Sequence, residues 1–254
     1  MSPIVLQHGL FGHGDFRFGP WRLSYFGGVE RAIVERGYPV IVGNVHPTAG
    51  IARRARQLKE SILSRLSETG HRGQPVVIIA HSLGGLDARY MITHLGMADR
   101  VRALVTISSP HRGSSFADWA VANVGKRYGG LRLMNVLNID VQAIVDLTRE
   151  SCRKFNEITP DMPQVKYYSI SAESSADEVP AFGRHSHRVI MAEEGANDGL
   201  VSVASAKWAE HLETWSADHW LCINSPMSPR RRQTERIVGG WMRVIDRLVK
   251  DGML

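Results

Sequence analysis

The stretch Val76-Val77-Ile78-Ile79-Ala80-His81-Ser82-Leu83-Gly84-Gly85 decides the fold of this chain. Four β-branched apolar residues in succession predict a strand that is buried on both faces of a sheet. Small residues then surround Ser82, and a helical pattern follows, so the chain can turn tightly and present the serine hydroxyl at the carboxyl end of the strand. This layout predicts a nucleophile elbow, with Ala80 standing where glycine is usual. The alternative is that Ser82 only caps the following helix.

A serine hydroxyl is a weak nucleophile and needs a histidine base, which an acid in turn orients. In folds with this turn, the order along the chain is serine, acid, histidine. Ser82, Asp198 and His219 occur in that order. Asp198 is expected in an Asn-Asp-Gly turn after a strand, and His219 in a loop before the last helix. The sequence therefore predicts Ser82 as nucleophile, Asp198 as acid and His219 as base.

Other residues compete for these roles among eleven histidines and several carboxylates. His81 adjoins the serine but is expected to face away from it, which favours a structural role. His211 lies in surroundings predicted to be helical and is expected at the surface. Asp218 and Asp177 are rivals for the acid, although Asp218 is adjacent to the base and would point elsewhere.

A glycine-rich loop from His8 to Gly14 follows the short strand Ile4 to Gln7. Such a loop lets the backbone approach a ligand closely, and it lacks the lysine of a phosphate-binding loop. Beside a nucleophile elbow, an early loop of this kind supplies the second amide of an oxyanion hole. We predict the backbone N–H of Leu10 as that donor, with Phe11 as the neighbouring alternative.

Strands and helices alternate along the chain, which predicts an α/β fold with a mainly parallel sheet and helices on both faces. No linker divides the sequence, so residues 1–254 are expected to form a single domain. The helix predicted from Gly50 to Leu66 carries arginines that are interpreted as a solvated face, namely Arg53, Arg54 and Arg56. The last helix is predicted to begin at Ser228-Pro229.

Residues 114–147 interrupt this alternation with a long apolar stretch in helical pieces, broken by glycines. We interpret it as a helical cap, or lid, over the active-site edge, and the alternative is a packed pair of core helices without motion. The side chains expected to contact substrate are Phe11, Phe116, Trp119, Leu131 and Met134.

Composition limits the possible partners. The chain has 254 residues and a net charge of +6, which suits an anionic surface but equally promotes solubility. No zinc-finger, RNA-binding or Walker pattern is present, so we expect no nucleic-acid partner. No apolar run approaches the length of a membrane span, and no secretory leader is recognised, so the chain as written is expected in the cytoplasm; a trimmed secreted protein would look the same.

Cysteine and histidine spacing gives no firm metal or disulfide pattern. Cys152 and Cys222 are expected to be free thiols, with one bridge as the alternative. His185-Ser186-His187 has a spacing that can hold a metal, but no carboxylate or cysteine accompanies it, so we interpret it as an exposed loop. The sequence therefore predicts no metal and no cofactor.

Five segments in this order resemble the α/β-hydrolase triacylglycerol lipases of bacteria and fungi. They span about residues 4 to 224 and are Val5 to Gly12, Ala80 to Gly85, Ile107 to Ser114, Asn197 to Ser202 and Asp218-His219. The resemblance implies an α/β-hydrolase fold with a mobile lid. It also implies a fatty-acid ester as substrate, and brief contact with a lipid interface.

The resemblance also assigns roles to individual residues. It implies the triad Ser82, Asp198 and His219, and an oxyanion hole formed by the backbone N–H groups of Leu10 and Leu83. Several secreted relatives bind a structural calcium through an aspartate two positions after the histidine. Leu221 stands there in this chain, which disfavours calcium.

Three other functions remain open at this stage. A short-chain carboxylesterase, thioesterase or polyester hydrolase would use the same triad. A lipid-binding protein on a hydrolase scaffold would not need that triad. A protein that docks on nucleic acid is supported only by the net charge.

Overall fold

The computed structural model describes residues 2–12, 16–18, 21–124, 141–230 and 233–254. The strands are β1 (Ile4–Gln7), β2 (Phe16–Phe18), β3 (Trp21–Leu23), β4 (Val40–Val42), β5 (Val76–His81), β6 (Val101–Ile107), β7 (Lys166–Glu173) and β8 (Glu210–Ser216). The α-helices are α1 (Val29–Glu35), α2 (Ile51–Glu68), α3 (Leu83–His94), α4 (Ser115–Val124), α5 (Val141–Asp146), α6 (Arg149–Ile158), α7 (Arg184–Glu193), α8 (Val203–Ala206) and α9 (Thr234–Lys250).

Six strands form one sheet in the order β4-β1-β5-β6-β7-β8, and every pair in it is parallel. β2 and β3 form a separate antiparallel pair. β5 lies inside the sheet, with all six of its residues buried, as the apolar run of the sequence predicts. The predicted parallel sheet is therefore confirmed.

Successive residues of β5 pack into different cores because side chains alternate between the two faces of a strand. Ile79 belongs to a buried cluster with Ile33 of α1 and Trp241 of α9. Ile78 belongs to the cluster on the opposite face, with Leu58 of α2. Helices therefore cover both faces of the sheet, which leaves the carboxyl ends of the strands as the edge for a site.

Several local predictions were wrong. His211 lies on β8, because the segment predicted as helical pairs with β7. Asp198 follows helix α7 and not a strand. The last helix begins at Thr234, six residues after Ser228, whose hydroxyl instead bonds Asp218 at 2.5 Å.

The cap predicted over residues 114–147 is described only at its two ends, α4 and α5. Leu131 and Met134 lie outside the described residues. The chain after the gap is anchored to the body of the protein, because the Asp146 carboxylate accepts a hydrogen bond from Ile51 N at 2.8 Å and so satisfies the N-terminus of α2. Among the described helices, none is long and apolar enough to cross a membrane.

Trp241 is fully buried on α9, and its indole donates to Cys222 O at 2.8 Å. We predict that Trp241→Ala lowers the free energy of unfolding by about 3–5 kcal/mol, because it leaves a cavity in the core. Urea denaturation measures the change. Val249→Ala on the same helix is the control, because that side chain is 46% exposed and its truncation should cost little. Equal losses in the two variants would contradict the prediction.

Candidate active site

Ser82 occupies the tight turn between β5 and α3. Its backbone has φ 57 and ψ −133, a conformation that non-glycine residues rarely adopt and that costs energy to hold. Two hydrogen bonds hold the turn, from Ser82 N to Ile107 O at 3.0 Å and from Gly85 N to Ser82 O at 3.0 Å. The buried strand β5 before Ser82 and the helix α3 after it hold this strained conformation, as the predicted elbow requires.

The turn has little space for larger neighbours. A Cβ at Gly84 would lie 2.8 Å from His8 O, and a Cβ at Gly9 would lie 2.7 Å from Ser82 Cβ. These contacts show that the loop after β1 lies directly against the serine. Glycine is therefore required at both positions by close approach of two backbones.

Asp198 and His219 form a buried pair. Asp198 Oδ2 lies 2.8 Å from His219 Nδ1, and His219 N donates to Asp198 O at 2.9 Å. The other carboxylate oxygen, Oδ1, accepts from Leu200 N at 2.9 Å and Val201 N at 2.8 Å. The carboxylate is thus fixed by backbone donors, and the imidazole is fixed by the carboxylate.

Asn197 stiffens the loop that carries Asp198. Its side-chain oxygen accepts from Gly199 N at 2.9 Å, and its amide donates to Gly195 O at 3.0 Å. Asn197 also forms an isolated β-bridge with Ser202. The sequence predicted a turn here, and the turn is correct even though the element before it is α7.

His219 of the Asp198–His219 pair lies against His81, the residue that precedes Ser82. The rings of His81 and His219 have centroids 4.5 Å apart, and Ser82 is the next residue in the chain. The hydrogen bonds among the described residues do not include one from Ser82 Oγ to His219 Nε2, and such bonds commonly tighten only when substrate binds. Burial, and then the neighbouring His219, lower the pKa of His81 well below its usual value, so His81 stays neutral beside the pair.

Two backbone N–H groups lie free beside the serine. Within the described parts of the chain, neither Leu10 N nor Leu83 N has a hydrogen-bond acceptor. Phe11 N, the alternative donor, is already bonded to Pro47 O at 2.8 Å. The Leu10 side chain packs on the buried cluster that contains Leu83, so the loop and the start of α3 meet at this point.

A buried ion pair lies behind this loop. Arg54 of α2 bonds Asp87 of α3 at 2.8 Å, and both side chains are 0% exposed. The interpretation of Arg54 as part of a solvated face was therefore wrong. Burial raises the pKa of Asp87 to about 6, and Arg54 opposes that shift. Arg53 and Arg56 are exposed, as expected.

The rival residues are held in other contacts. Asp218 accepts from Trp220 N at 3.0 Å and Leu221 N at 3.1 Å, so its carboxylate points away from the pair. Asp177 is exposed. His211 lies on β8 near Ser169 and Ser171, with Oγ–ring distances of 3.3 and 3.4 Å.

The predicted metal-spacing motif lies on α7 and not in a loop. His185 is exposed and packs its ring 4.5 Å from Trp119, whereas buried His187 bonds Ser174 O at 2.9 Å, so the two side chains diverge. The described residues hold no cluster of three or more metal-ligating side chains. The Leu221 side chain is fully buried and offers no ligand atom.

Both cysteines are free and buried. Burial raises the pKa of Cys152 to about 12 and raises that of Cys222 well above its usual value. The thiols are therefore protonated near neutral pH, which makes them unreactive. They do not pair with each other.

Exposed aromatic side chains lie next to Leu10 and next to His219, and a further pair lies on α4. Phe11, next to the free Leu10 N–H, is 60% exposed. On α4, Phe116 stacks on Trp119 with centroids 5.5 Å apart, and Trp119 is 39% exposed. Phe182 is also 60% exposed and packs on Trp220, the residue after His219, with ring centroids 4.8 Å apart. Phe11 and Phe182 therefore offer apolar surface beside Leu10 and beside Trp220.

Sequence reasoning missed two buried residues near the site. Arg54 follows Ile51 by three positions and precedes Leu58 by four, so it lies within the apolar stripe of α2; that placement was the available signal. Asp87 gave no comparable signal, because α3 is buried on nearly every side.

Asp87 makes stability depend on pH. Its pKa is about 6 when folded, against 3.8 for the ordinary group, so between these values the folded state holds a proton that the unfolded state releases. Raising the pH through this range therefore weakens folding. Arg54 and Gln7 favour the charged form, and Asp146 opposes it.

We predict that Asp87→Asn removes this contribution. Urea denaturation at pH values from 4 to 8 measures the free energy of unfolding of both proteins. As the pH rises, the variant should become more stable relative to wild type. Asp177→Asn, an exposed substitution, should leave the wild-type pH profile unchanged. Parallel profiles for wild type and Asp87→Asn would contradict the prediction.

The sequence is similar to a described family and to named lipases. Residues 27–151 match the model of the PGAP1-like alpha/beta domain. Triacylglycerol lipase 2 of Saccharomyces cerevisiae is 32% identical over 208 residues, which cover 80% of this chain and 63% of the yeast protein. A triacylglycerol lipase of Pseudarthrobacter phenanthrenivorans is 33% identical over 120 residues, which cover 46% of this chain and 35% of that protein. The chain thus spans less than two thirds of these relatives.

The fold is similar to solved lipase structures. The mature Bacillus licheniformis lipase BlEst2 superposes with a TM-score of 0.69 at 24% identity, covering 87% of this chain and 86% of that one. The Staphylococcus hyicus lipase superposes with a TM-score of 0.76 at 17% identity, covering 98% and 95%. At these identities the structures establish the fold alone. Together with the sequence relatives, they show that the chain has the α/β fold of solved lipases and is similar in sequence to triacylglycerol lipases.

Proposed function

We propose that this protein is a serine hydrolase that cleaves carboxylic esters of fatty acids through an acyl-enzyme on Ser82. The observation that carries the proposal is the Asp198–His219 hydrogen bond at 2.8 Å, buried against the strained turn that presents Ser82. This constellation supplies a nucleophile, a base and an orienting acid at the carboxyl edge of the sheet.

The Asp198 contact sets the proton positions on His219. With Nδ1–H donated to the carboxylate, Nε2 is left as the acceptor, which is the form a general base needs. As the Ser82 oxygen attacks the ester carbonyl, His219 takes the proton of the serine hydroxyl. His219 then gives this proton to the departing alcohol. Water repeats the attack on the acyl-enzyme and regenerates the serine.

The free N–H groups of Leu10 and Leu83 are proposed as the oxyanion hole. Both lie beside Ser82 without a protein acceptor in the described chain, and Leu83 N is at the N-terminus of α3, where the helix dipole favours negative charge. Removing one such donor costs about 10²–10³ in kcat in a well-studied protease. The oxyanion hole would therefore account for a large part of the rate enhancement.

A fatty acyl chain is the proposed substrate group because the edge around the serine is apolar. Phe11 is exposed beside Leu10, Phe182 is exposed against Trp220, Trp119 is exposed on α4, and the yeast relative is named a triacylglycerol lipase. Residues 114–147 are proposed as the lid over this surface, which would bring the protein into brief contact with a lipid interface. A short-chain esterase with the same triad is the alternative that chain-length preference would reveal.

We expect Ser82→Ala to abolish ester turnover, because His219 would then have no serine hydroxyl to deprotonate. Hydrolysis of p-nitrophenyl esters from acetate to palmitate, with thermal unfolding measured alongside, tests this. A fluorophosphonate probe should label wild type and not the variant. Near-wild-type turnover in a folded Ser82→Ala variant would remove the assignment. Preference for long chains supports a lipase, and turnover of acetate alone supports the esterase.

We expect Asp198→Asn to lower kcat by about 10³–10⁴, because an asparagine cannot hold His219 in the required tautomer. Steady-state kinetics on the best ester of the series measures the loss. Asp177→Asn changes the exposed rival acid and should retain wild-type kcat. If the two variants lose activity equally, Asp198 is not the acid.

A further inference from the structure

The peptide unit between Gly9 and Leu10 is held from its carbonyl side. Gly9 O accepts from Arg54 Nη2 at 3.3 Å and from Gly12 N at 3.3 Å, and it lies 2.9 Å from His8 Nδ1. In a planar trans peptide the C=O and the following N–H point in opposite directions. Groups that fix Gly9 O therefore fix the direction of the Leu10 N–H as well.

Arg54 joins this peptide to the rigid body of the protein. Its guanidinium donates to His8 O at 2.7 Å and to His46 O at 2.7 Å, besides Gly9 O. Asp87 accepts from Arg54 Nε at 2.9 Å, so the guanidinium is anchored to α3, the helix that begins next to Ser82. One side chain thus connects the loop after β1 to the helix that carries the second free N–H.

The neighbouring peptide units are fixed from other sides. Gly9 N donates to Tyr25 Oη at 3.2 Å, and Tyr25 Oη lies 2.9 Å from His81 Nδ1. Phe11 N donates to Pro47 O. Between these bonds, the Leu10 N–H is left without an acceptor in the described chain, facing the side opposite to Arg54. Leu10 is only half-buried, so this N–H remains available to a ligand.

We infer that Arg54, anchored by Asp87, is a positioning residue that holds the Gly9–Leu10 peptide so that the Leu10 N–H faces the oxyanion before substrate binds. The inference rests on the proposed function. A guanidinium suits the task because its planar fork serves several acceptors in fixed directions, whereas a lysine ammonium is a flexible point charge. The residue does not touch substrate and acts through the backbone.

A second buried arginine separates positioning from packing. Arg89, two residues after Asp87 on α3, is 1% exposed and donates to Asn156 Oδ1 at 2.8 Å and Thr159 O at 3.0 Å. Its guanidinium also lies 3.8 Å from the Trp208 ring. Arg89 therefore has a comparable structural role, but within the described chain its polar partners lie outside the loop after β1.

The test compares Arg54→Lys with Arg89→Lys and with exposed Arg56→Lys, in the full chain. We expect Arg54→Lys to lower kcat at least tenfold with KM within threefold of wild type, because the hole acts only on the transition state. An alkyl trifluoromethyl ketone, which forms a tetrahedral adduct with Ser82, should lose affinity by a similar factor. Arg89→Lys should lower the melting temperature while the folded enzyme keeps its kcat, and Arg56→Lys should change neither.

The outcomes separate this inference from the proposed function. If wild type shows no turnover that depends on Ser82, the function itself fails. If wild type turns over and Arg54→Lys keeps kcat within twofold, or keeps its affinity for the ketone, the positioning role is overturned. Should Arg54→Lys not fold, Asp87→Asn takes its place. This variant keeps the hydrogen bonds from Arg54 to the backbone carbonyls but weakens the ion pair that anchors the guanidinium. We therefore expect kcat to fall at least fivefold, and an unchanged kcat overturns the inference.

Discussion

The parallel pairing of β1 with β5 is the constraint on which the site depends. The register places Gln7 beside Ala80, so both strands end at the same level of the sheet. The chain that leaves β1 and the chain that leaves β5 must then share one small space, and the contact between Gly9 and Ser82 is the result. The nucleophile and the loop amide are 72 positions apart in sequence, and only this pairing brings them together.

The arrangement at this edge of the sheet costs folding free energy, and contacts close to Ser82 offset that cost. Ser82 has an unfavourable backbone conformation, and polar groups such as Arg54, Asp87 and His81 are buried around it. Burying a charge is costly unless it is paired and hydrogen-bonded, so Arg54 and Asp87 bond each other and Arg54 also bonds backbone carbonyls. The same bonds that compensate the cost also fix the directions of the amides, which links stability to the site.

Local predictions succeeded because their signals are short-range. The strand over 76–81 and the turn at Ser82 were predictable from an apolar β-branched run and small flanking residues. The triad was inferred from the order of residues along the chain and stays a prediction; the structure places Asp198 and His219 in contact. Errors arose where a local pattern fits two structures. The segment around His211 reads as helical but is drawn into the sheet by pairing with β7, and tertiary contact overrides weak propensity.

Arg54 shows most directly what the chain alone does not reveal. Among three neighbouring arginines, only Arg54 lies in the apolar stripe of α2, and a charge there has a structural meaning only when a partner such as Asp87 is known. That partner lies on another helix, 33 positions away, and its approach depends on how α2 and α3 pack. The sequence by itself determined the parallel sheet, the strained serine turn and the residue types of the site, because these depend on periodicity and short-range sterics. The tertiary structure alone decided which polar groups are buried together and where each amide points, because those depend on distances between elements far apart in the chain.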